Sequence, residues 1–153
     1  MPIELRDVTP QVREELRAVR LGPGQDQFVA SIEKSFADAA EAPEAHPWYR
    51  AVYLEDEPVG FVMISWDVEP DPPELLGPWF LWRLLVDERH QGQGIGREIV
   101  EEVAGIVRRE GGDALLTSYH EGEGGPAGFY RRLGFVPTGD VDDAGEIVTR
   151  LEL

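Results

Sequence analysis

An apolar run over residues 79–86 that stops at a glycine-rich turn and restarts as a helical pattern restricts this chain's folds more than any other feature. Trp79, Phe80, Leu81, Trp82, Leu84, Leu85 and Val86 interrupt their apolar series only at Arg83. A strand without polar alternation is covered on both faces, which places it in the middle of a sheet. Beyond it, Gly92, Gly94 and Gly96 open a segment where Ile95, Ile99, Val103, Ile106 and Val107 recur at helical spacing, and Gly111 and Gly112 end it. A helix over residues 94–110 is predicted, packed on the sheet that holds the strand.

The flanking segments supply the rest of that sheet. Ile3 and Leu5 alternate with polar neighbours as in a short strand, and Thr9 followed by Pro10 offers an N-cap and a first helical residue, with a helix expected to about Arg20. Leu21 to Gly24 breaks the chain. Phe28, Ile32, Phe36 and Ala39 then predict a second amphipathic helix over residues 25–40. Residues 48–54 and 59–68, rich in aromatic and branched side chains and separated by a polar turn, read as an antiparallel hairpin. A proline-rich loop covers residues 69–73. After the long helix come a strand at 114–118, a glycine-rich loop at 122–126, a short helix at 127–133 and a closing strand pair from Gly134 to near Leu153. Without a repeat or linker, residues 1–153 read as one domain of mixed α/β order, an α+β fold.

Composition narrows the function. Fourteen Lys and Arg against 30 Asp and Glu give a formal charge of −16. That balance repels nucleic acid and favours cationic partners. No apolar run approaches the roughly 20 residues of a membrane span, and Glu4, Arg6 and Asp7 stand where a secretory signal would be apolar, so a cytoplasmic protein without a membrane partner is expected. Cysteine is absent, which excludes disulfides, thiolate metal sites and a cysteine nucleophile; no metal site is assigned.

The turn itself is an anion cradle in outline. A helix N-terminus exposes unpaired N–H groups and the positive end of its dipole, and glycines let the backbone come close to a phosphate. The spacing differs from the dinucleotide fingerprint and lacks the Lys-Ser/Thr of a nucleoside triphosphate loop. It resembles the acetyl-coenzyme A signature of the GNAT acetyltransferases, Gln/Arg-x-x-Gly-x-Gly/Ala, matched by Gln91, Gly94 and Gly96 after a strand and before a helix. A second GNAT-like motif follows at Phe129, Tyr130, Gly134 and Phe135.

The resemblance implies a central, mostly antiparallel twisted sheet, flanked by helices, whose fourth and fifth strands splay apart. It implies acetyl-coenzyme A as co-substrate, with backbone groups of Leu84, Leu85 and Val86 pairing with the pantetheine arm. Gln91, Gly92, Gln93, Gly94, Ile95, Gly96 and Arg97 would hold the pyrophosphate. Tyr130 would be the general acid that protonates the departing sulfur while a small, cationic primary amine attacks directly. A homodimer is compatible with it. The chain departs from the family pattern at Glu123 and Pro126, where Asn and Ala are usual, and at Ser118, where some relatives carry a base Glu. His120 and Glu121 are then the candidates for the base, and Glu69, Asp71, Glu74 and Glu123 for attracting an amine. Trp48, Tyr49, Trp66, Trp79 and Trp82, with Phe28 and Phe36, are candidates for the wall of an acceptor pocket and equally for core. The competing expectation is a catalytically idle acyl-coenzyme A-binding or sensing module.

Overall fold

The computed structural model describes residues 2–23 and 30–153. Its strands are β1 (Glu4–Arg6), β2 (Pro47–Leu54), β3 (Glu57–Ser65), β4 (Phe80–Val86), β5 (Ala114–Tyr119), β6 (Val136–Val141) and β7 (Ile147–Glu152). Its helices are α1 (Pro10–Glu15), α2 (Ile32–Glu41), α3 (Ile95–Arg109) and α4 (Ala127–Leu133). Among the described residues the strands form one sheet in the order β1-β2-β3-β4-β5-β7-β6, so β4 is central. Its neighbours are antiparallel except for the β4–β5 pair, which is parallel. The α+β fold and the mixed sheet anticipated from the element order are both present.

The local chemistry explains most boundaries. Thr9 caps α1 by accepting from the Val12 N–H at 3.2 Å, and Ser31 caps α2 by accepting from the Lys34 N–H at 3.1 Å. The helix expected to reach Arg20 instead ends at Glu15 and passes into a 3-10 turn, Leu16–Ala18. Arg20 is drawn elsewhere: its N–H donates to Asp87 Oδ1 at 2.9 Å, and its carbonyl accepts from Glu88. The second helix begins at Ile32; Gly24, Gln25 and Phe28 lie outside the described residues. Glu55 and Asp56 both take positive φ, as a two-residue hairpin turn requires. The strand predicted to reach Val68 stops at Ser65, because Asp67 adopts φ 47° and turns the chain away.

Alternation on the central strands builds two cores. Val52, Val62, Ile64, Leu81 and Leu115 join Ile99, Val103 and Val107 of α3 on one face. Ala51, Tyr53, Phe61, Met63 and Leu85 join Ile32, Phe36 and Ala39 of α2 on the other. The unbroken apolar run of β4 is the sequence trace of this double coverage. At the far edge β6 is exposed along its whole length, with Val136 64% and Val141 55% accessible.

Candidate functional site

The strands β4 and β5 pair only at Phe80↔Leu116 and Leu81↔Thr117, after which they diverge. The gap opens into a crevice of about 690 Å³, lined on one side by the glycine turn and α4, and on the other by Trp82, Arg83, Ser118 and Glu146. The parallel connection through α3 produces this opening: two right-twisted strands fixed together at one end separate at the other.

At the first end the backbone supplies the chemistry. Gly94 is the N-cap of α3 at φ 83°, and no side chain caps the helix. A Cβ on Gly92 or Gly94 would meet no atom within 4 Å and would project into open space, so both glycines leave room for a ligand. A Cβ on Gly96 would come within 3.1 Å of the Phe129 ring, so that glycine lets α3 and α4 approach. Gln91, Gly92, Gly94, Ile95, Gly96 and Arg97 all line the crevice, with the His90 ring and the Arg132 cation beside them. Gln93 is exposed and does not line it. The Arg97 guanidinium is held on the helix surface by Glu101 at 2.9 Å.

Asp87 fixes this end. Its carboxylate is wholly buried, accepting from the Arg20 N–H, from Arg89 through its N–H and Nε, and facing His90 Nδ1 at 3.2 Å. Burial alone would raise its pKa, but these hydrogen bonds outweigh it and hold the carboxyl below the usual range. The sequence signal was an Asp directly after an apolar strand, indistinguishable there from a surface residue.

Backbone direction sorts the three strand residues assigned to the pantetheine arm. A Cβ on Gly60 would sit 2.4 Å from the Leu85 carbonyl oxygen, so Leu85 turns its carbonyl toward β3. Alternation then points the polar groups of Leu84 and Val86 to the crevice. The Val86 carbonyl accepts from Gln91 Nε2 at 3.0 Å.

Tyr130 stands on the crevice wall, 7% accessible, stacked on Tyr119 with centroids 5.7 Å apart and flanked edge-on by Phe129 and Phe135. It is a core residue that also faces the crevice. Burial raises its pKa well above that of an ordinary phenol; a hydrogen bond with Thr117 acts in the opposite sense, and the charge of Glu146 adds to the rise. Thr117 in turn donates to the Leu81 carbonyl at 2.9 Å, at the point where β4 and β5 last pair.

The other end is made of side chains from distant segments. A bulge in β4 opposite Met63 and Ile64 puts the consecutive Trp82 and Arg83 toward the α2 side. Arg83 is bound to Asp38 of α2, which also pairs with Lys34 at 3.0 Å. Burial lowers the Arg83 pKa, against the opposing charges of Asp38 and Glu146. Ser118 Oγ donates to Glu146 Oε1 at 2.8 Å, and His120 Nε2 lies 3.7 Å from Glu146 Oε2. Sequence reasoning passed over Asp38, Arg83 and Glu146, whose only common property is proximity in space. His120, Glu121 and Glu123 are exposed and outside the crevice lining, as are Glu69, Asp71 and Glu74 outside it. Of the aromatics considered for a pocket wall, Trp82 lines the crevice; Trp48, Trp66 and Trp79 pack on one another, and Phe36 packs on Phe61 and Tyr49.

Known proteins share this fold. The chain is 27% identical to a spermine/spermidine N(1)-acetyltransferase of Bacillus subtilis, covering 100% of both chains. It is 33% identical to the peptidyl-lysine N-acetyltransferase YjaB of Salmonella typhimurium, covering 82% of this chain and 74% of the relative. The crystal structure of PaiA N-acetyltransferase from Thermoplasma acidophilum in complex with coenzyme A superposes with a TM-score of 0.68 at 15% identity, covering 100% of both chains. The family model described as acetyltransferase (GNAT) matches residues 9–135, and the chain belongs to that family.

Proposed function

We propose that this protein transfers an acetyl group from acetyl-coenzyme A to a primary amine on a small cationic acceptor, by direct attack in a ternary complex. The observation that carries the proposal is the polarity of the crevice, which has Arg97, Arg132 and the N–H groups of an uncapped helix turn at one end and, at the other, the Glu146 carboxylate beside an Arg83 already paired with Asp38. The names of the relatives, which act on polyamines or on peptidyl-lysine, support an acceptor of that charge.

The residues present fit the co-substrate. The uncapped first turn of α3 and the open space beside Gly92 and Gly94 suit a pyrophosphate. Leu84 and Val86 offer strand-like pairing to an amide-bearing arm, the Val86 carbonyl exchanging its Gln91 partner for the ligand. When bound, acetyl-coenzyme A supplies a thioester carbonyl that an amine can attack. Tyr130, its pKa raised by burial, keeps its proton through the alkaline range in which amines become neutral, and donates it to the departing sulfur.

The test is thiol release from acetyl-coenzyme A, screened across polyamines, lysine peptides, aminoglycosides and peptide N-termini, with calorimetric coenzyme A binding in parallel. Turnover with a cationic amine and none with an anionic one is the expected result. Tight coenzyme A binding without turnover on any amine would replace the proposal with the sensing module.

A further inference from the structure

The end of the crevice opposite the glycine turn contains a carboxylate that the mechanism above does not use. Glu146 sits in the turn between β6 and β7, where its N–H donates to Asp142 Oδ1 at 2.9 Å and its carbonyl accepts from the Asp142 N–H at 2.9 Å. Its side chain is 24% accessible and lines the crevice. Ser118 fixes Oε1 at 2.8 Å, while Oε2 faces His120 at 3.7 Å, longer than a hydrogen bond. One oxygen is therefore oriented and the other retains its capacity to accept. Among the described residues lining the crevice, Glu146 is the carboxylate; Asp38 is engaged by Arg83 and Lys34.

We infer that Glu146 is the acceptor-side base, binding the amine of the incoming substrate and taking the proton that its nitrogen releases. This rests on the acetyl-transfer reading. The acceptor nitrogen, in its neutral form, uses its lone pair to make the C–N bond to the acyl carbon. The C–S bond breaks with its pair on sulfur, and sulfur takes the Tyr130 hydroxyl proton. As the C–N bond forms the nitrogen becomes positive and its proton strongly acidic, so a carboxylate suffices to receive it. That proton then returns from Glu146 to Tyr130 through solvent, leaving both groups as they began. Ser118 is a positioning residue in this scheme, occupying the β5 site and presenting a carboxylate borrowed from the β6–β7 turn.

The experiment compares Glu146→Gln, Glu146→Ala, Glu146→Asp and Ser118→Ala with the wild type, using spermidine and a lysine peptide as acceptors. Glu146→Gln keeps an oxygen for Ser118; its kcat is expected to fall about 100-fold or more, with acceptor KM raised about tenfold. Calorimetric affinity for coenzyme A should stay within about twofold of wild type, which a general loss of structure would not allow. Glu146→Asp should lie between the two, and Ser118→Ala should lose about tenfold in kcat with KM unchanged. Wild-type turnover together with a kcat retained in Glu146→Gln, or in Glu146→Ala should the first variant not fold, would overturn the inference alone. A wild type without turnover on either acceptor would overturn the inference and the acetyl-transfer reading together.

Discussion

The two ends of the crevice are built in opposite ways. The glycine-turn end comes chiefly from one stretch of chain, residues 90–97, with Arg132 of α4 beside it, and offers mostly backbone groups. The end proposed for the acceptor gathers Arg83, Ser118 and Glu146 from β4, β5 and the β6–β7 turn, with Asp38 of α2 bound to Arg83, and offers only side chains. Backbone groups cannot be exchanged by substitution, so the first end can be spoiled by adding atoms but not re-specified. The second can change its preference through one residue.

Four substitutions sharpen or break this contrast. The largest effect is expected from Gly94→Val. Its branched Cβ enters the space proposed for the pyrophosphate, with loss of about two charge-assisted hydrogen bonds, or about 10³-fold in coenzyme A affinity. The left-handed φ of 83° adds about 1–2 kcal/mol of strain, which the fold should survive. Calorimetry with a melting curve checks both; unchanged affinity would remove the phosphate assignment.

At the junction of the two ends, Tyr130→Phe is expected to lower kcat by about 10²-fold while sparing coenzyme A binding. In the wild type, the raised pKa of Tyr130 means that the acid remains protonated as pH rises, so kcat should show no alkaline fall up to about pH 10. A decline centred near pH 8 or 9 would assign the acid to another group.

Asp87→Asn tests whether the backbone end depends on its one buried carboxylate. Loss of charge in four contacts should cost about 2 kcal/mol of stability and weaken coenzyme A binding by about tenfold. The folded carboxyl titrates below its unfolded value of about 3.9, so its contribution is complete above that pH and is lost as pH falls through the lower, folded value. The melting temperatures of variant and wild type should therefore converge only in strong acid. The smallest effect is expected of Arg83→Met, which makes the acceptor end more negative. Acceptor KM for a cationic amine should fall about threefold, with coenzyme A affinity unchanged. A change in coenzyme affinity would show the two ends to be coupled rather than separate.

How far each end could be anticipated follows from the same contrast. The central strand, the turn, α3 and α4 were legible because their signals are contiguous: apolar continuity, glycines, then helical spacing with α4 at residues 127–133. Gly94 and Tyr130 reached the crevice for that reason. The acceptor end was not legible, because nothing in Ser118 announces that it holds Glu146, 28 positions later. The early end of the first helix had a similar cause, a hydrogen bond from Arg20 to Asp87 across 67 positions. The direction of the Leu85 carbonyl was not legible either, because sequence fixes which residues lie on a strand but not which edge each carbonyl faces.

The two-pair joint between β4 and β5 has a consequence for the lifetime of the polypeptide. Strands β1 to β4 form one plate closed by long antiparallel ladders, β5 to β7 form another, and a short parallel seam joins them. Local opening begins where few backbone bonds hold, so this seam is the natural place for the molecule to come apart and meet a protease. In the proposed complex a coenzyme threaded between the plates would bridge the seam, and at 100 times its dissociation constant it would add about 2.7 kcal/mol against opening. The supply of acyl donor would then govern how long each copy of the protein survives, as well as how fast it works.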